Sequence, residues 1–81
     1  MIERIFAKNL AEKLVEKIYG KVVVKIFKDE VHVYIQCWTD IDCEIVLENF
    51  TERVLNGWST DYAAYEVLEQ YRRAVMKRYF K

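Results

Sequence analysis

The chain has no proline, two glycines, two cysteines, one histidine and one serine in 81 residues. Each scarcity removes a class of function. With no glycine-rich loop to cradle phosphate, nucleotide chemistry is not expected. A hydrolytic triad needs a nucleophile, a base and an orienting group within reach of one another. Here the lone His32 falls in the middle of a strand pattern, and the lone Ser59 sits where a helix cap is needed. Cys37 and Cys43 have no CxxC spacing, and one histidine does not complete a typical zinc site, so neither a metal nor a cofactor is expected. The chain reads as a non-enzyme.

Long apolar runs are also missing. Runs such as Val22-Val23-Val24 and Ile45-Val46-Leu47 fall far short of the ~20 residues a membrane span needs. The first residues carry acids in a helical pattern, unlike a secretory signal. These features place the protein in the cytoplasm of its cell with reduced thiols and no membrane contact.

What is present is enough for one folded domain over residues 1–81: 53% of residues are hydrophobic, 15% aromatic and 32% charged. Ala7, Leu10, Ala11, Leu14, Val15 and Ile18 recur at helical spacing and predict an amphipathic helix over 3–19. Gly20 would supply its left-handed C-terminal position. Two β-branched and aromatic runs, 22–27 and 30–38, flank Lys28-Asp29 and predict a hairpin. Opposing Phe27 to Glu30 sets Lys25 against His32 and Val23 against Tyr34. That register gathers Val22, Val24, Ile26, Val31, Val33, Ile35 and Cys37 on a core face, which a one-residue slip would mix. Its other face carries Val23, Lys25, Phe27, His32, Tyr34, Gln36 and Trp38.

Thr39 to Asp42 offer caps for a second helix, 41–56, with Cys43, Leu47, Phe50 and Val54 inward. Gly57 would end it, with Trp58 folding back on its last turn. A third helix, 60–79, carries Ala64, Leu68, Tyr71, Val75 and Tyr79 inward, with Val67 beside them. The expected fold is therefore α+β, in the order α-β-β-α-α, with a small antiparallel sheet packed against helices. The third helix is expected to cover the outer sheet face. Left open, that face would instead be an aromatic patch fit for homodimer formation.

Charge sums to zero yet is strongly sorted. Residues 1–28 carry seven bases and three acids, 29–70 carry ten acids and one base, and 71–81 carry five bases and no acid. On the predicted second helix Asp40, Glu44, Glu48 and Glu52 recur every four residues, drifting only about 40° per step. Such a row is either a binding ridge or a solvated face whose first acids complement the helix dipole. Asp29 and Glu30 at the hairpin tip, and Asp61, extend the acidic set. The basic end, Arg72, Arg73, Lys77 and Arg78, complements the dipole of the third helix, pairs with acids across the fold, or contacts nucleic-acid phosphates.

Residues 44–66, EIVLENFTERVLNGWSTDYAAYE, share spaced features with a known family: Glu48, then Phe50, the Asn56-Gly57-Trp58 turn, and Asp61-Tyr62. They resemble the small prophage-encoded inhibitors of the type II CRISPR effector nuclease, in particular the acidic Listeria-prophage type. The resemblance implies the order α-β-β-β-α-α, one strand more than the spacing gives. It also implies an acidic, DNA-imitating surface that occupies the site where the guide-loaded nuclease reads the motif beside its DNA target. That site uses arginines for guanine contacts. Glu44, Glu48, Glu52 and Asp61, with Asp29, Glu30 and Asp40, would be the contacting acids, and no direct nucleic-acid contact is implied. Two other readings stand beside it. One is a mobile-element accessory protein that binds another basic partner. The other is a nucleic-acid-binding module built on the basic C-terminal helix.

Overall fold

In a computed structural model describing residues 2–37 and 42–79 (the side chains of Cys37 and Tyr79 excepted), the element order is α1 (Ile2–Val15), β1 (Gly20–Phe27), β2 (Glu30–Cys37), β3 (Asp42–Leu47), α2 (Phe50–Leu55) and α3 (Thr60–Tyr79). The three strands form one antiparallel sheet in the order β1-β2-β3, with β2 in the middle. α1 packs on β1, and α3 packs on α1 and touches β3. The fold is α+β, a small sheet packed against helices.

The hairpin has the register that its hydrophobic alternation requires: Phe27 opposes Glu30, Lys25 opposes His32 and Val23 opposes Tyr34. Its two-residue loop places Lys28 and Asp29 at φ 54° and 59°. Positive φ at both central positions marks a type I′ turn, whose twist matches that of the strands it joins.

The second predicted helix is corrected. Residues 42–47 form a third strand, and only Phe50–Leu55 are helical. Cys43, Ile45 and Leu47 alternate onto the core face opposite Ile35, Val33 and Val31, while Asp42, Glu44 and Val46 point the other way. An i, i+4 spacing joins Cys43 to Leu47 in a helix and in a strand alike, so the pattern satisfies both periods. Pairing with β2 decides between them, because it hydrogen-bonds the second side of a strand that carries Val31, Val33 and Ile35. Asn49, at φ 61°, then redirects the chain into α2; asparagine is among the few residues that adopt this conformation readily.

Two helix ends also differ from expectation. α1 stops at Val15, and the N–H groups of Lys17 and Ile18 both donate to the Leu14 carbonyl. Gly20 is not a left-handed cap; it is the first residue of β1, paired with Cys37. Gly57 is the one glycine among the described residues with positive φ, at 90°. The Gly57 N–H donates to Val54 O at 3.0 Å and the Trp58 N–H to Arg53 O at 2.9 Å, the paired bonds of a Schellman ending. α3 starts at Thr60, with the Ser59 hydroxyl oxygen 3.4 Å from the Tyr62 N–H that it accepts.

The core lies between the helices and one face of the sheet. Phe6, Leu10, Leu14 and Ile18 meet Val31, Val33, Ile35, Ile45 and Leu47, and Phe50, Ala63, Ala64 and Val67 close the layer. Val22, Val24, Ile26, Leu68 and Tyr71 are partly buried against it. Phe6 joins the helical stripe and Val15 leaves it at 50% exposure, a rotation of the buried face toward the α1 N-terminus. At one end Phe50 meets Phe6 edge-on at 5.1 Å, and Trp58 stacks on Phe6 at 5.0 Å.

Candidate functional site

Both long helices occupy the core side of the sheet, so α3 does not cover the outer face. Val23, Phe27 and Tyr34 remain 37%, 45% and 37% exposed there. Trp38, which strand alternation also assigns to this face, lies outside the described residues.

His32 is the exception on that face, at 8% exposure. Phe27 stacks on its ring at 4.1 Å, nearly parallel. Nε2 lies 3.2 Å from Glu30 Oε1; a carboxylate only accepts, so Nε2 carries the hydrogen of this bond. Nδ1 is buried without a hydrogen-bond partner and faces Glu44 Oε1 at 3.6 Å. A histidine between two carboxylates and an aromatic ring is a polar knot in the middle of an open apolar face. The sequence marked His32 as outward-facing, but Glu44 reaches it only because residues 42–47 form a strand.

The acids predicted to share one helical ridge do not do so. Glu44 is on β3, Glu48 follows that strand and Glu52 is on α2. Asp40 lies outside the described residues. Instead, the outer face of the sheet carries a different set: Asp42 and Glu44 on β3, opposite Gln36 and Tyr34, and Glu30 farther along the same face of β2, with exposed Glu48 just past the end of β3. Asp42, outside the predicted set, is found by the strand period that places Glu44.

Two predicted site acids are engaged within the fold. Asp29 accepts hydrogen bonds at Oδ1 from the Thr51 N–H (2.9 Å) and the Thr51 hydroxyl (2.5 Å), and its carbonyl accepts from the Phe50 N–H at 2.9 Å. Asn49 makes no side-chain cap for α2, so Asp29 caps that helix from the hairpin tip. Asp61 binds the Lys13 ammonium at 2.5 Å and ties α3 to α1. Its hydrogen bond, and then its charge, raise the Lys13 pKa above the usual value.

The conspicuous Asn56-Gly57-Trp58 turn is likewise structural. Glu66 on α3 accepts from the Trp58 indole N–H at 2.9 Å and from Arg53 at 2.8 Å. The Arg53 guanidinium also sits 5.1 Å above the Trp58 ring. Glu66, absent from the predicted set, locks the end of α2 to α3.

Of the basic set, Arg72 lies 3.7 Å from Glu69. Arg73, Lys77 and Arg78 are exposed, with no carboxylate of the described residues in ion-pair range. The predicted pairing of this end with acids across the fold is thus not found among the described residues. They also contain no group of three or more His, Cys, Asp or Glu placed to hold a metal ion. No described helix is long and apolar enough to cross a membrane.

Cys43 is a half-buried residue of β3, not a residue at a helix start. The thiol activation that a helix N-terminus supplies therefore does not apply.

No family model, no curated protein and no solved structure matches the chain.

Proposed function

We propose that this chain is a small protein inhibitor of the anti-CRISPR kind. In this reading Glu30, Glu44, Glu48 and Glu52 are set against the basic, motif-reading surface of a guide-loaded type II CRISPR effector nuclease in a bacterial cytoplasm. The observation that carries the reading is the element order. The resemblance of residues 44–66 implies α-β-β-β-α-α, and the third strand missing from the spacing stands at Asp42–Leu47. That strand also brings Glu44 beside Glu30 on one face. A carboxylate array competes for guanine-reading arginines because it offers them the same bidentate acceptors as the base edge.

Glu48 and Glu52 are the cleanest residues to test, being exposed and outside the ion pairs of the described residues. Reversing both to lysine should abolish inhibition of target cleavage by the purified nuclease–guide complex. Stability should fall by no more than about 1 kcal/mol, because Glu52 lies in the first turn of α2, where a lysine opposes the helix dipole. Inhibition that survives the reversal, or no inhibition of any of several divergent type II nucleases, overturns the reading.

A second reading has one observation in its favour: the exposed cations Arg73, Lys77 and Arg78 on the 20-residue α3, which form no ion pair among the described residues. Tight, salt-sensitive binding to bare DNA that Arg73→Glu with Lys77→Glu removes would put that nucleic-acid module in place of the inhibitor.

A further inference from the structure

We infer that the open face of the sheet is a self-association surface, on which a second copy of this chain docks face to face about a two-fold axis running parallel to the strands. The apolar half of the case is Val23, Phe27 and Tyr34, which stay 37–45% exposed because α1 and α3 both lie on the other side. Val23 opposes Tyr34 across β1 and β2, and Phe27 joins them through the His32 ring on which it stacks, so the three share one patch and are not scattered surface residues.

Charge selects the occupant. The outer face of β1 contributes Lys21 and Lys25 and no acid, while the outer face of β3 contributes Asp42 and Glu44 and no base. β2 lies between them, so a basic margin and an acidic margin flank a centre made by Tyr34 and His32. The two margins are about 10 Å apart, two strand spacings.

A two-fold axis parallel to the strands lays β1 of one copy over β3 of the other, so a lysine margin meets an acidic margin at two symmetry-related places. An axis across the strands would lay lysines on lysines. The face is therefore self-complementary in one orientation, as an isologous interface requires. Strands of six to eight residues make a face roughly 25 Å by 14 Å. Two such faces cover about 700 Å² in projection, below the standard size of a specific interface, so association is weak and concentration-dependent.

This inference does not rest on the inhibitor reading. If both hold, the dimer covers Glu44 and competes with the basic partner.

Sedimentation of the full chain over a concentration series reads the association directly. The native protein should pass from monomer to dimer as concentration rises and revert as salt screens the margins. Lys21→Glu with Lys25→Glu makes both margins acidic, and Asp42→Lys with Glu44→Lys makes both basic. Each variant alone should self-associate about tenfold more weakly or not at all. An equimolar mixture of the two should recover the dimer, because every acidic margin again meets a basic one. Circular dichroism checks that each variant is folded; if a double variant is not, Lys25→Glu and Glu44→Lys carry the same mixing test. A native chain that stays monomeric throughout overturns the inference. So do variants that dimerise like the native chain, as pairing through the free edges of β1 or β3 would predict, and a mixture of folded variants that stays monomeric.

Discussion

Phe50 and Phe27 both sit among charged residues in the sequence, yet one is 3% exposed and the other 45%. Phe50 enters the aromatic end of the core, against Phe6 and near Trp58, where Glu66 accepts from the Trp58 indole N–H and from Arg53. Phe27 lies on the open sheet face and has His32 as its ring partner. The polar groups around Phe50 are consumed by the fold. Those around Phe27, Lys25 and Glu44 among them, face solvent. Residues that look functional in sequence because they are conspicuous, such as Asn56-Gly57-Trp58, are here folding residues. The plainer alternation of the strands leaves chemistry on display.

The largest expected effect tests the first half of that contrast. Phe50→Ala should cost about 3–5 kcal/mol, the range for a fully packed phenylalanine, measured by denaturant unfolding. The same substitution at Phe27 should cost a small fraction of that, since the side chain is half in water already. Equal losses at the two positions would break the comparison.

Asp29 straddles the two regions and gives the next effect. It was legible in the sequence as a hairpin-tip acid available to a partner, but in the fold it caps α2 through Thr51. Asp29→Ala should therefore destabilise by roughly 0.5–2 kcal/mol, the usual worth of a cap. Asp29→Asn keeps an acceptor oxygen and should retain most of that stability. If Asp29→Ala leaves unfolding unchanged, Asp29 returns to the display side of the comparison.

What the sequence made legible divides along the same physical line. The hairpin register is readable because period two is unambiguous when seven apolar residues must share one face. The third helix is readable because its periodicity runs for 20 residues. Residues 42–55 defeat the same method. Their apolar spacing fits a helix through Cys43, Leu47, Phe50 and Val54, and a strand through Cys43, Ile45 and Leu47. The decision between them is made by Val31, Val33 and Ile35 on a strand about ten residues earlier, which no local window contains. The acidic site inherited that error: four acids at helical spacing looked like one ridge, and the strand instead places Glu44 beside His32 and Asp42 below it. Ile45 and Val46, both β-branched, and Asn49 just before Phe50 were the available signals for a strand and a break.

The smallest expected effect lies on the helical side, at the Lys13–Asp61 pair. Both side chains are largely in water, at 40% and 81% exposure, so the pair holds two helices in register more than it stabilises them. The sign of its pH dependence is nonetheless fixed. The Lys13 pKa in the fold is raised above its ordinary 10.5, first by the hydrogen bond to Asp61 and then by the charge of that carboxylate. A group whose folded pKa is raised contributes stability that is fully present below its unfolded pKa and is lost as pH rises through the folded one. Comparing thermal unfolding of the native chain and Lys13→Met should thus show a small advantage for the native chain at neutral pH. The advantage should shrink once pH passes 10.5 and also fall with added salt, since an exposed pair is screened. An advantage that grows with alkalinity would mean that Lys13 is better accommodated neutral, and the bridge between α1 and α3 would have to be assigned to packing alone.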